Sequence, residues 1–188
     1  MLSNLLIYRF SIFNAGAVGL LAYFWSKGYW VMAYEADPTG IVIAIAVLFF
    51  VVWLSSWERA WKTSKAINNT KRGLTASAAK SAKRLAKIEH IHSAASWLAY
   101  LGILGTVVGF IIALSSVRGD VGSLASAQGV AAFVPVMLDG MGVAVWTTLA
   151  GGFFGLWTEI NSQMLKTATR CLVEDERSAV IPDEWSAV

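Results

Sequence analysis

The sequence predicts an all-α integral membrane protein: four transmembrane helices with a basic cytoplasmic helical linker. Three observations carry that expectation. First, 56% of the 188 residues are hydrophobic and only 14% are charged, whereas roughly a quarter of a soluble domain is charged. Second, the apolar residues fall into four long blocks, each approaching the ~20 residues that a helix needs to cross a bilayer. Third, most of the positive charge is gathered between the second and third blocks.

The first block covers about 6–26. Its opening, "SNLLIYRFSIFNAGAVG", has the outline of a signal peptide with Ala15-Gly16-Ala17 as a cleavage site. Arg9 interrupts the would-be apolar core, however, and the apolar run continues to Trp25, so a retained first span is expected. The Arg9 side chain is long enough to snorkel to the near interface. The second block, "GIVIAIAVLFFVVWLSSW" at 40–57, is free of charge until its end. A third occupies about 94–115 and a fourth about 139–161. The segment "LASAQGVAAFVPVML" before the fourth is expected to be a separate short helix lying at the outer surface. Tyr8, Trp25, Trp30, Trp53, Trp57, Trp97 and Trp157 fall near block ends, where amphipathic rings favour the membrane–water interface.

The linker at 58–92 holds nine basic residues against Glu58 and Glu89, a net charge of +7. The outer links carry little charge: Lys27, Glu35 and Asp37 in one, Arg118 and Asp120 in the other. The positive-inside rule therefore places the linker and both termini in the cytoplasm. Its "SAAKSAKRLAKIEH" stretch has helical spacing and is expected to continue the third span as a basic helix. The plain reading of that charge is a solvated face touching anionic lipid, with no nucleic-acid role. His90 and His92 point in different directions on a helix, so no metal site is expected there. Cys171 is the single cysteine and forms no intrachain disulfide. The chain divides into an N-terminal transmembrane hairpin (1–57), the basic linker (58–93), a second transmembrane hairpin (94–161) and a cytoplasmic tail (162–188). The tail is expected to be a short helix followed by a disordered end.

The second hairpin carries the informative pattern. Gly102, Thr106, Gly109 and Ala113 share one helical face, as do Ala144, Thr148, Gly151 (or Gly152), Gly155 and Glu159. Gly105-x-x-x-Gly109 and Gly151-x-x-x-Gly155 fit the small-xxx-small spacing that lets membrane helices approach closely. Tight packing with hydroxyls bonded to backbone carbonyls is one account of both strips. A threonine near mid-membrane on each strip offers another, since paired hydroxyls can hand along a proton or a partly dehydrated cation. Hydroxyls do not store a proton near neutral pH, and ion-coupled membrane machines keep an ionisable group within the bilayer. No Asp, Glu or His lies in the interior of any span; Asp139 and Glu159 mark the two ends of the fourth. If this chain helps to conduct ions, the titrating group must come from another chain.

"LGILGTVVGFIIAL" at 101–114, followed by "AVWTTLAGGFFGL" at 144–156, resembles the MotA/TolQ/ExbB family of ion-driven motor subunits. The family's paired signatures run roughly L-G-L-L-G-T-V-x-G-x-I-x-A-F and A-L-x-T-T-A-x-G-L. The resemblance covers residues 98–161 and places Thr106 and Thr148 at the pore threonines, with Thr147 beside them in the ion pathway. Gly102, Gly105, Gly109, Ala144, Gly151 and Gly155 become helix-packing or pore-facing positions, and Glu159 an acidic group at the pore end. It implies a homo-pentamer around a dimer of a single-span MotB/TolR/ExbD-like protein, whose membrane aspartate carries the ion.

The implied function is an ion-driven rotary motor or channel in the bacterial cytoplasmic (inner) membrane. It would convert a proton or sodium motive force into mechanical work, with uses such as protein transport, without a cofactor or metal and without enzymatic activity. Departures from the pattern narrow the branch. Ala99 stands for the usual proline before the first signature, and Gly155-Leu156-Trp157 for the later A-I-P. Val143 replaces the glutamate of the TolQ/ExbB branch. Two spans precede the linker, as in MotA, yet 35 residues are too few for MotA's rotor-contacting domain. A specialised motor with another output fits these differences. The alternatives are a structural or holin-like membrane assembly, in which the glycines serve packing alone, and a small transporter subunit.

Overall fold

The computed structural model describes residues 2–71, 78–115 and 126–178. Every regular element among them is an α-helix: α1 (Leu2–Ser26), α2 (Tyr29–Ala36), α3 (Ile41–Lys71), α4 (Ala78–Ser115) and α5 (Ala127–Ser178). Four apolar stretches are long enough to cross a membrane: Leu6–Ser26, Ile41–Asn69, Ile88–Ser115 and Ala127–Asp175. With no water in the bilayer to satisfy backbone groups, helices are the natural outcome for such blocks. The protein is a multi-pass membrane protein.

The breaks between helices have local causes. Gly28 adopts φ 76° between α1 and α2, and Gly40 φ 71° just before α3, a left-handed backbone open to glycine without steric cost. Asp37 caps the start of α3. Its carboxylate accepts from the Val42 N–H at 2.6 Å and the Thr39 N–H at 3.1 Å, and also from the Thr39 hydroxyl. The Val42 amide is one that the first turn of a helix otherwise leaves unpaired, and the Thr39 contacts close the turn before it.

One expectation changes, and one link proves to be structured. The 27–39 link contains the helix α2, eight aromatic-rich residues or about two turns, too short to show a helical period. The segment before the fourth block is not a separate surface helix, because α5 runs unbroken from Ala127 through Pro135 to Ser178. Proline removes one backbone donor and crowds the preceding turn, and this helix accommodates both. Most of the linker is likewise helical, its ends belonging to α3 and α4. Its centre at 72–77, the side chains from Lys71 to Arg84 and of Lys87, and hence the lipid contact expected of them, lie outside the described residues. So do Arg118, Asp120 and the end of the tail.

The chain forms two compact units. One comprises residues 1–19, 51–94 and 157–188 and the other 20–50 and 95–156. In the first, Phe10, Ala60, Ile88, Ile91 and Leu165 make a buried apolar core. In the second, Phe49 stacks on Phe154 at 4.4 Å between ring centroids, with Trp30 tilted against the same ring at 6.3 Å. Large apolar side chains such as Ile103, Val107, Phe110, Ile111, Leu149 and Leu156 are exposed, as suits helices solvated by hydrocarbon or by other membrane helices.

Candidate functional site

The second unit contains the hairpin contact that the glycine strips anticipate. Gly102, Gly105 and Gly109 of α4 are buried against α5. A Cβ on Gly109 would stand 2.6 Å from both the Ala144 nitrogen and the Gly140 oxygen. One on Gly151 would stand 2.6 Å from the Gly102 Cα and 2.8 Å from the Leu98 oxygen. Real Cβ contacts are never so short, so these helices meet backbone to backbone and only glycine fits. A Cβ on Gly105 would overlap the Thr147 side chain, and one on Gly155 would lie 3.2 Å from the Ala95 oxygen. Ala144 is buried in the same seam. Gly152, the alternative to Gly151 in the strip, has nothing within 4 Å of a Cβ position and lies outside the seam.

Sequence reading missed Gly140, whose added Cβ would stand 2.5 Å from the Ala113 nitrogen and 2.6 Å from the Gly109 oxygen. The signal was present, because Gly140 precedes Ala144 by one more step of four residues.

The threonines divide into two environments. Thr147 is 0% exposed, and its hydroxyl donates to the Val143 carbonyl at 2.7 Å and the Ala144 carbonyl at 3.2 Å. Thr106 and Thr148 sit at the rim of the seam, half-buried and exposed respectively, with their hydroxyls hydrogen-bonded to each other. Thr106 can also donate to the Gly102 carbonyl at 3.1 Å, and Thr148 to the Ala144 carbonyl at 2.9 Å. Two hydroxyls offer two protons for three such contacts. One contact is therefore left to lone pairs, and the pair keeps acceptor capacity toward a donor arriving from outside. A protonated carboxyl or a partly dehydrated cation is such an arrival.

Glu159 belongs to the other unit, and its partners there are far from it in sequence or one turn on. Its Oε2 lies 2.6 Å from His92 Nδ1, and its Oε1 accepts from the Gln163 amide at 2.9 Å. Lys166 donates to Glu89 at 3.2 Å nearby.

The same unit holds a polar cluster that hydropathy hid. Asn14 is 3% exposed, and its Oδ1 accepts from the indoles of Trp53 at 2.8 Å and Trp157 at 2.9 Å. Its Nδ2 donates to the Phe10 carbonyl at 2.8 Å and to Asn161 Oδ1 at 3.0 Å. One amide thus ties α1 to α3 and α5 with its hydrogen-bonding capacity met, which a buried polar group requires. Among the described residues no group of three or more His, Cys, Asp or Glu is placed to hold a metal ion.

Residues 54–177 match the profile of the MotA/TolQ/ExbB proton channel family. That range extends well beyond the two signatures, from near the middle of α3 almost to the end of α5. No curated protein and no solved structure matches the chain.

Proposed function

The chain belongs to the MotA/TolQ/ExbB proton channel family, and from that premise we propose that it is the pentamer-forming subunit of an ion-driven rotary motor in the bacterial cytoplasmic membrane. Both termini and the basic linker face the cytoplasm. Five copies surround a dimer of a single-span MotB/TolR/ExbD-like protein, whose membrane aspartate carries a proton or sodium ion past the threonines. Ion binding and release at successive subunit interfaces turn the pentamer about the dimer, so that ion motive force becomes mechanical work without enzymatic chemistry.

The observation that carries this reading is the pair Thr106 and Thr148. Their hydroxyls meet at an accessible rim, on stretches (93–115 and 140–158) that hold no carboxylate or histidine. A polar contact without its own titrating group suits a carboxyl supplied from outside. The glycine seam beneath it fixes the two helices so that both hydroxyls present together.

A packing-only, holin-like assembly draws on a different observation: every one of these hydroxyls is within reach of a carbonyl on its own helix. Native mass spectrometry of the chain co-expressed with a candidate single-span partner separates the two. Five copies with two of the partner support the motor. A homogeneous two-fold or large ring of this chain alone supports packing. Orientation is tested separately by labelling single cysteines in a Cys171-free background. Positions near Asp37 and Gly122 should react from the periplasm, and positions near Lys80 should not.

A further inference from the structure

The residues His92 and Glu159 lie outside the threonine rim but on the same two helices, α4 and α5. His92 precedes Thr106 by fourteen residues, and Glu159 follows Thr148 by eleven. Between His92 and Ser115, α4 carries Tyr100 as its one ionisable side chain; between Ala127 and Glu159, α5 carries Asp139. His92 is the first histidine or carboxylate before Thr106 along α4, and Glu159 the first after Thr148 along α5.

Their geometry is that of an oriented acid–base pair. A carboxylate only accepts, so the 2.6 Å contact calls for a proton on Nδ1, and in the neutral ring Nε2 is then the basic nitrogen. A carboxylate in that position holds the tautomer and stabilises the imidazolium that forms when Nε2 takes a proton. Gln163 fixes the second carboxylate oxygen at 2.9 Å, and the Ser162 hydroxyl donates to the Glu159 carbonyl at 2.9 Å. The His92 side chain is 42% exposed and that of Glu159 26%, so the ring is open at the surface of the chain while the carboxylate is partly enclosed. The charged neighbours among the described residues are Lys166, which acts electrostatically on Glu159, and Glu89, which pairs with Lys166.

We propose that His92 and Glu159 form the proton-releasing relay of this subunit, receiving the proton that the partner's carboxylic acid gives up and passing it to cytoplasmic water. This rests on the motor reading above. In the first step the O–H bond of the partner's carboxylic acid breaks, leaving a carboxylate, and the proton travels through water to form an N–H bond at His92 Nε2. The product is an imidazolium paired with the Glu159 carboxylate. In the second step Nε2 returns the proton to cytoplasmic water and the neutral ring is restored. One proton moves per cycle, and no electrons change hands. The inter-helix tie alone does not require an imidazole, since Glu89 and Lys166 tie the same two helices by a permanent ion pair.

The test uses vesicles containing the complete complex with its partner, with proton flux followed by a pH-sensitive dye. The pH on the linker side is varied while the total driving force is held constant with a membrane potential. Wild-type flux should depend on the pH of that side, because Nε2 releases its proton to water there. His92→Gln should flatten this dependence and slow flux about tenfold or more, as loss of a proton-transfer group does. Glu159→Gln, nearly isosteric, should act in the same direction, and Glu159→Asp should restore part of the profile. Lys62→Gln, which removes an exposed charge from α3, should leave the profile unchanged. Assembled His92→Gln or Glu159→Gln complexes with the wild-type rate and profile overturn the relay; if the first does not assemble, the second decides. A wild-type complex that carries sodium but no protons also overturns it while leaving the motor standing. A wild-type complex that carries neither ion removes the motor reading and the relay with it.

Discussion

The two compact units join their helices in opposite ways. In the unit holding residues 95–156, α4 and α5 touch backbone to backbone along Gly102, Gly109, Gly140 and Gly151. In the other, α1, α3 and α5 are joined through the side chains of Asn14, Trp53, Trp157 and Asn161. The first solution depends on the absence of atoms, and the second on matching each donor to an acceptor. The lesson is that they should fail differently. A backbone seam has no room for even one added carbon, whereas an amide clamp loses strength bond by bond.

Substitutions at the seam should have the largest effect. Gly109→Leu, Gly140→Leu or Gly151→Leu should abolish recovery of the complex by size-exclusion chromatography. The obstructing atoms are backbone, which cannot rotate aside as a side chain can. Wild-type yield from any of the three would show that α4 and α5 do not meet there.

Next comes the clamp. Asn14→Leu should leave the complex assembled but lower its thermal midpoint, because the Trp53 and Trp157 indoles and Asn161 lose a shared partner. About 1 kcal/mol for each lost bond is the scale for such contacts between membrane helices. Trp53→Phe removes one donor and should shift the midpoint less than Asn14→Leu. Equal shifts would mean that the cluster behaves as a unit rather than as separable bonds.

The smallest effect is expected at Gly152. An alanine there meets no atom of the chain within 4 Å, so the thermal midpoint of the isolated subunit should be unchanged. Loss of assembly with unchanged subunit stability would identify that face as a contact with another chain.

The contrast also marks what could be read from sequence. Spans, hairpin and glycine strips were legible because hydrocarbon imposes length and close approach imposes small residues at steps of three and four. The rotation of the strips was not. Gly105 and Thr147 fill the seam while Thr106 and Thr148 take its rim, and a step of one residue along a helix lies below the resolution of a spacing argument. Asn14 was invisible for a different reason. One polar residue in an apolar block looks like tolerated noise until the indoles that donate to it, 39 and 143 positions away, are seen beside it. His92 was likewise read only against His90, its sequence neighbour, whereas its partner lies 67 positions distant.

The central claim is that the threonine rim serves an ion carrier brought by another chain. Ion flux through reconstituted complexes tests it most directly, comparing wild type with the Thr106→Val/Thr148→Val double variant, each with and without the single-span partner. Valine keeps nearly the shape of threonine, and both positions lie at the rim, so assembly should survive. The account predicts flux only with the partner present. Each lost hydroxyl should slow transfer by about tenfold, the equivalent of roughly 1.4 kcal/mol in the barrier, with the double variant slower than either single one. Wild-type flux in the double variant, or flux without any partner, would contradict it.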